Sequence, residues 1–75
     1  MIELWGHPAC ESCEEAKLFM GQTPLEWQYI EVDTSFEGMI PRLVLEDGNN
    51  ILGFPAIKEY VKQEMREMGF PEEMF

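Results

Sequence analysis

An α/β fold with element order β-α-β-β-β-α is predicted for this 75-residue chain. Three features carry the prediction. Short stretches alternate apolar and polar with period two, two longer stretches repeat apolar residues with the 3.6-residue period of a helix, and clusters of Gly and Pro punctuate them. Residues 2–5 (Ile-Glu-Leu-Trp) read as the first strand, and Gly6, His7 and Pro8 break it. From Glu11 to Met20 the pattern is helical: Cys13, Ala16, Phe19 and Met20 recur on one face, Ser12 is a candidate cap, and Glu14 and Glu15 sit early. Gly21-Gln22-Thr23-Pro24 ends the helix. Residues 27–33 are expected as the second strand and 42–46 as the third, with Asp47-Gly48-Asn49-Asn50 as a hairpin turn into a fourth strand at Ile51-Leu52. Pro55 suits the first position of a helix. Ile57, Tyr60, Val61, Met65 and Met68 then form an apolar stripe that stops at Gly69. Phe19, Met20, Met65 and Met68 are expected as core fillers. The tail 70–75 is expected to pack one aromatic and fray. Repeats, low-complexity segments and linkers are absent from the sequence.

Composition narrows the function. A chain this short buries only about 60% of its unfolded surface, so one domain spanning residues 1–75 is expected and elaborate multi-substrate pockets are excluded. Apolar residues make up 45% and charged residues 27%, a globular balance. Asp and Glu number 15 against 5 Lys and Arg, for a net charge of −10. Phosphate backbones and anionic membranes both recruit Lys and Arg, so neither nucleic acid nor a membrane surface is an expected partner. The first residues lack the basic and long apolar regions of a secretory signal, and a cytoplasmic location is expected.

The two cysteines point to chemistry. Cys10-Glu11-Ser12-Cys13 is a Cys-x-x-Cys pair, too closely spaced to close a useful loop as a structural disulfide. A redox dithiol and half of a metal site are the surviving readings. The pair falls where a strand gives way to a helix N-terminus, whose unpaired N–H groups and dipole favour a thiolate. Cys10, nearer the tip, is the expected nucleophile, and Cys13, one turn inside, the resolving thiol. His7 would add positive character when protonated, or is simply an exposed loop residue. Glu11, Glu14 and Glu15 oppose the thiolate, or form a solvated face. His7, Cys10 and Cys13 together supply three ligands, one short of a closed zinc site unless two chains share one.

The sequence resembles a glutaredoxin, of the thioredoxin-fold superfamily, over nearly its whole length. Cys10-Glu11-Ser12-Cys13-Glu14-Glu15-Ala16-Lys17 resembles the family pattern C-P-Y-C-x-x-A-K. Ile40-Pro41 stands where the family has T-V-P with a cis-proline facing the thiols, and Gly53-Phe54 before a helix resembles G-G-x-D-D. The short chain is most similar to small phage and bacterial glutaredoxins and to glutaredoxin-like donors of ribonucleotide reductase. The resemblance implies a thiol–disulfide oxidoreductase that acts on protein disulfides or glutathione-mixed disulfides, with ribonucleotide reductase among the candidate acceptors. It implies Cys10 as nucleophile and Cys13 as resolving thiol, and His7, Ile40, Pro41, Arg42, Gly53 and Phe54 as the substrate- or glutathione-binding set. It implies no bound cofactor or metal, glutathione as co-substrate, and a monomer.

Three departures from the family pattern refine these expectations. His7 stands where a basic residue is usual. Pro55 and Ala56 replace the acidic pair that holds the γ-glutamyl end of glutathione, and Gly53-Phe54-Pro55 leans towards relatives that take electrons from thioredoxin reductase. Arg42 or His7 would compensate, and glutathione stays the first choice of reductant. Third, the link from Asp33 to Pro41 is too short for the family's helix between strands two and three. On the family topology it must cross one intervening strand, roughly 10 Å, which six or seven residues at ~3.3 Å each span. A four-stranded mixed sheet with that helix missing or reduced, and one wet face, is therefore expected. Ile2, Leu4, Ile30, Val32, Leu43 and Leu45 form the expected inner set. Glu3, Gln28 or Tyr29, Glu31, Arg42 and Glu46 are expected to face outward, with Trp5, Tyr29 and Val44 as exposed apolar exceptions. Two rival functions compete with the redox reading: an iron–sulfur or metal carrier holding its load between Cys10 and Cys13 of a dimer, and a non-catalytic adaptor.

Overall fold

The computed structural model describes residues 1–33 and 35–70. Six elements follow in the expected order: β1 (Ile2–Gly6), α1 (Glu11–Gly21), β2 (Trp27–Glu31), β3 (Arg42–Val44), β4 (Asn50–Leu52) and α2 (Phe54–Glu67). The strands form one mixed sheet in the order β2-β1-β3-β4. β1 pairs in parallel with β2 and antiparallel with β3, and β3 is antiparallel to β4. Residues 33 and 35–40 carry no helix, as the short link requires.

Both helices pack on one face of the sheet. Leu4 of β1 and Leu43 of β3, paired across the sheet, meet Ala16 and Met20 of α1 and Ile57, Val61 and Met65 of α2 in a single buried cluster. The stripe of α2 thus reaches the core at Ile57, Val61 and Met65, whereas Met68, expected in the core, is exposed because it lies at the C-cap beyond the last packed turn. There the chain stops in a Schellman arrangement. Gly69 N–H donates to the Arg66 carbonyl and Phe70 N–H to the Met65 carbonyl, and the Phe70 ring packs against the core. The remaining tail, 71–75, lies outside the described residues.

Several boundaries shift. β2 stops at Glu31, although the Val32 amide still donates to the Gly6 carbonyl at 2.9 Å. β3 stops at Val44 because the reversal begins two residues earlier than expected. Gly48 N–H donates to the Leu45 carbonyl and Leu45 N–H to the Asn49 carbonyl, a three-residue loop rather than a turn centred on Gly48-Asn49. Pro55 occupies the second helical position, behind Phe54.

The larger correction concerns β2. Its register puts Trp27 opposite Ile2 and Tyr29 opposite Leu4, so Trp27 and Tyr29 face the helices and Ile30, opposite Trp5, faces away. The expected assignment of Ile30 to the inner set, with Tyr29 outside, is reversed, whereas Val32, just past the end of β2, is buried as expected. Trp27-Gln28-Tyr29-Ile30-Glu31-Val32 is apolar on both alternating faces, so period two alone does not choose between them. Leu4 and the helices do.

The second face is not simply wet either. Phe36, from the link between β2 and β3, lies 5.9 Å from the Trp5 ring and 5.5 Å from the Arg42 guanidinium. Trp5, expected exposed, is half-buried there, and its indole N–H donates to Glu3, which also accepts from Gln28. One aromatic thus covers part of this face.

Candidate functional site

The chain leaves β1 at Gly6 and turns through His7, Pro8 and Ala9 before α1 begins. The Ala9 amide donates to His7 Nδ1 and the Cys10 amide to the His7 carbonyl, both at 3.0 Å. A neutral His7 therefore carries its proton on Nε2. Cys10 is the N-cap of α1, in an extended conformation (φ −98°, ψ 114°), and its Sγ accepts the Cys13 amide at 3.2 Å. Sequence reasoning nominated Ser12 for this role because hydroxyls and carboxylates are the usual caps. Ser12 instead lies inside the first turn, and the sulfur does the capping.

The two thiols differ sharply in environment. Cys10 is half-buried at the helix tip, whereas Cys13 is 1% exposed and sits against the core. Burial, and then the hydrogen bond with the Cys10 side chain, push the Cys13 thiol up from the ordinary 9.0 to about 11. A half-exposed first thiol and a buried second thiol follow from position alone: three residues is nearly one helical turn, enough to move from the tip to the inner face.

Cys10 opens onto a cleft of about 320 Å³ lined by His7, Ala9, Asp33, Phe36 and Ile40. Two other clefts are comparable or larger, about 340 Å³ beside Leu45 and Tyr60 and about 560 Å³ beside Leu18 and Trp27, but neither is lined by a thiol. The Ile40–Pro41 peptide bond is cis. Ile40 lines the cleft, and Pro41 is fully buried behind it, its carbonyl accepting the Gly53 amide at 2.9 Å.

The other expected binding residues do not join the cleft walls. Arg42 is drawn under Phe36, with its Nε buried and without a hydrogen-bond partner. Phe54 packs edge-on against Phe19 at 5.8 Å, with Lys58 over its ring. Gly53 caps α2 without a side chain and reaches the site only through Pro41. The family resemblance implies these residues at the site, but the turn after β4 aims Phe54 at the helix layer.

Three residues at the site escaped sequence reasoning. Asp33 lines the cleft, held by the Ser35 amide and hydroxyl, and these bonds lower its carboxyl below the ordinary range, with a further pull from His7. Its signal was available: it follows the C-terminal end of β2, which a parallel register sets beside the C-terminal end of β1. Phe36 was marked only by being the lone aromatic of a polar link. Tyr29 had no signal beyond an ambiguous alternation, yet its hydroxyl borders Gly6, as the Cys13 side chain does. A Cβ built on Gly6 would stand 2.9 Å from Cys13 Cβ, 3.1 Å from Tyr29 Oη and 3.2 Å from Cys13 Sγ.

Among the described residues, no three His, Cys, Asp or Glu side chains converge to hold a metal ion, and no helix is long and apolar enough to cross a membrane. Comparison with protein-family models, with curated proteins and with solved structures finds no match for this chain.

Proposed function

We propose that this chain is a glutaredoxin-like thiol–disulfide oxidoreductase with a reduced thioredoxin fold. One observation carries the reading: an accessible thiol caps a helix while its partner, one turn on, is buried and protonated beside it. That asymmetry assigns an order to the chemistry. Cys10, as thiolate, attacks a partner disulfide, and one partner sulfur leaves and takes up a proton. Cys13 then loses its proton and attacks Cys10, forming the Cys10–Cys13 disulfide and releasing the second partner thiol. Two electrons pass to the partner, and an external dithiol or two thiols must return them.

Protein disulfides and glutathione-mixed disulfides are the proposed substrates, with ribonucleotide reductase as a candidate acceptor. Glutathione is the proposed first reductant, and thioredoxin reductase the competing source, favoured by exposed acids such as Glu11, Glu14, Asp33 and Glu37 around the site. A monomer acting in the cytoplasm completes the proposal. The test is a coupled assay in two arms, glutathione with its reductase against thioredoxin reductase, each supplied with a mixed disulfide and a protein disulfide. Turnover that vanishes in Cys10→Ser is expected. Turnover confined to the second arm would replace glutathione as reductant, and none in either arm would reject the oxidoreductase reading.

A further inference from the structure

The second step of this chemistry poses a problem that the expected site residues do not solve. Cys13 must surrender a proton to attack the mixed disulfide, yet it is 1% exposed. Among the described residues, no polar or charged residue is buried that would take that proton. Cys10 cannot serve, because its sulfur is then bonded to the partner.

One polar side chain borders the same glycine as the buried thiol. Tyr29 rises from β2 on the helix face of the sheet, next to Leu4 of β1. Its Oη and the Cys13 Sγ lie 3.1 and 3.2 Å from one point, the position a side chain at Gly6 would occupy. A side chain at Gly6 would press on both groups, and glycine spares them that contact. Tyr29 is half-buried, so it reaches from the core towards water. The Lys17 ammonium lies 4.5 Å from its ring centroid.

We infer that the Tyr29 hydroxyl is the positioning and proton-relay group of the resolving thiol, and the inference rests on the dithiol reading above. As Cys13 ionises, the hydroxyl takes the proton while passing its own to water, and then donates a hydrogen bond to the thiolate. The thiolate attacks Cys10, the Cys10–partner bond breaks, and the released partner thiolate is protonated by solvent. The phenol returns unchanged, so no further reactant is needed. Burial, with Cys13, Glu14, Glu31 and Cys10 nearby, keeps Tyr29 itself protonated above the ordinary range, which suits a donor rather than a base. Lys17 and Glu14 on α1, Glu31 on β2 and the two thiols are the charged or titratable groups that face it.

Tyr29→Phe keeps the ring and its packing and removes only the hydroxyl. With a mixed disulfide preformed on Cys10, release of the partner is expected to slow by about tenfold or more. Its pH profile is expected to move to higher pH. Alkylation of Cys10 and the urea midpoint should stay near wild type, which separates the effect from misfolding. Release within twofold of wild type with the same pH profile would overturn the inference. Should the wild type itself show no resolution, the dithiol reading fails. The relation of the two side chains is then still read by NMR titration of Cβ-labelled Cys13 in Cys10→Ser: an upward move with Tyr29→Phe supports it, and no move overturns it.

Discussion

Cys13 donates its backbone N–H to the sulfur of Cys10 at 3.2 Å, so the first thiol of the pair caps the helix that buries the second. Capping ties reactivity to the integrity of α1. The helix that offers its Cys13 N–H to the first sulfur also hides the second sulfur one turn away. Reactivity, stability and pH dependence should follow from this arrangement.

Selective alkylation is the most direct consequence. Below pH 8, iodoacetamide should modify Cys10 at least about a hundredfold faster than Cys13, which is buried and protonated with its thiol at about 11. Peptide mapping after timed quenching measures the ratio. Comparable rates at the two cysteines in the folded protein would remove the basis for their separate roles.

Stability of the reduced protein should fall at alkaline pH. The Cys13 thiol ionises near 9.0 when unfolded and near 11 when folded, so between these values the unfolded state has lost a proton that the native state keeps. The contribution is whole below pH 9 and is lost as pH rises through about 11, by roughly 1–3 kcal/mol. Urea unfolding of wild type and Cys13→Ala at pH 8 and at pH 10.5 checks the sign. The wild type should lose more than the variant. Equal losses would show that the thiol is not the group responsible, since Tyr29 and Tyr60 act in the same direction in both proteins.

Glycine-to-alanine changes should have opposite signs at two positions. At Gly6 the new methyl meets Cys13 and Tyr29 at 2.9–3.2 Å, in a packed region, and should cost about 1–3 kcal/mol. At Gly21, the last residue of α1, nothing lies within 4 Å, and alanine should be neutral or stabilise by up to about 1 kcal/mol. Urea midpoints decide both. A tolerated Gly6→Ala would mean that hydroxyl and sulfur do not need the space.

Gly53 is a different case, because its φ of +87° with ψ 149° is a conformation essentially reserved for glycine. Gly53→Ala should cost about 1–3 kcal/mol and loosen the bond from its amide to Pro41. Faster hydrogen exchange at residue 53 than in wild type is the expected signature.

Phe36 should matter more than its place in a polar link suggests. Replacing it by Ala removes a ring held between Trp5 and Arg42 and one wall of the Cys10 cleft. A loss of about 1–2 kcal/mol and a red-shifted Trp5 emission, read in a Trp27→Phe background, are expected. An unchanged spectrum would mean that the ring does not shield Trp5.

Much of this was legible from residues alone. The element order, the thiols at a strand–helix junction, the helix-free described residues before Pro41 and most core residues of the helices, Met68 excepted, follow from local chemistry: periodicity, Gly and Pro punctuation, and link length. Features that depend on two distant segments meeting were not. The N-cap sulfur escaped because cap preferences describe hydroxyls and carboxylates, while Phe54, which the family resemblance implies at the site, is turned to Phe19 by the chain after β4, and Gly53 meets the site only through Pro41.

By itself, then, the amino-acid order determined that this protein alternates strands and helices and sets a close pair of thiols at the start of a helix. Tertiary structure alone decided which face of β2 is inside, and with it that Tyr29 rather than Ile30 borders Gly6, as Cys13 does. The reason is physical. A strand apolar on both faces has two nearly equivalent ways to pack, and only the register against Ile2 and Leu4, with two helices waiting on one side, makes them unequal.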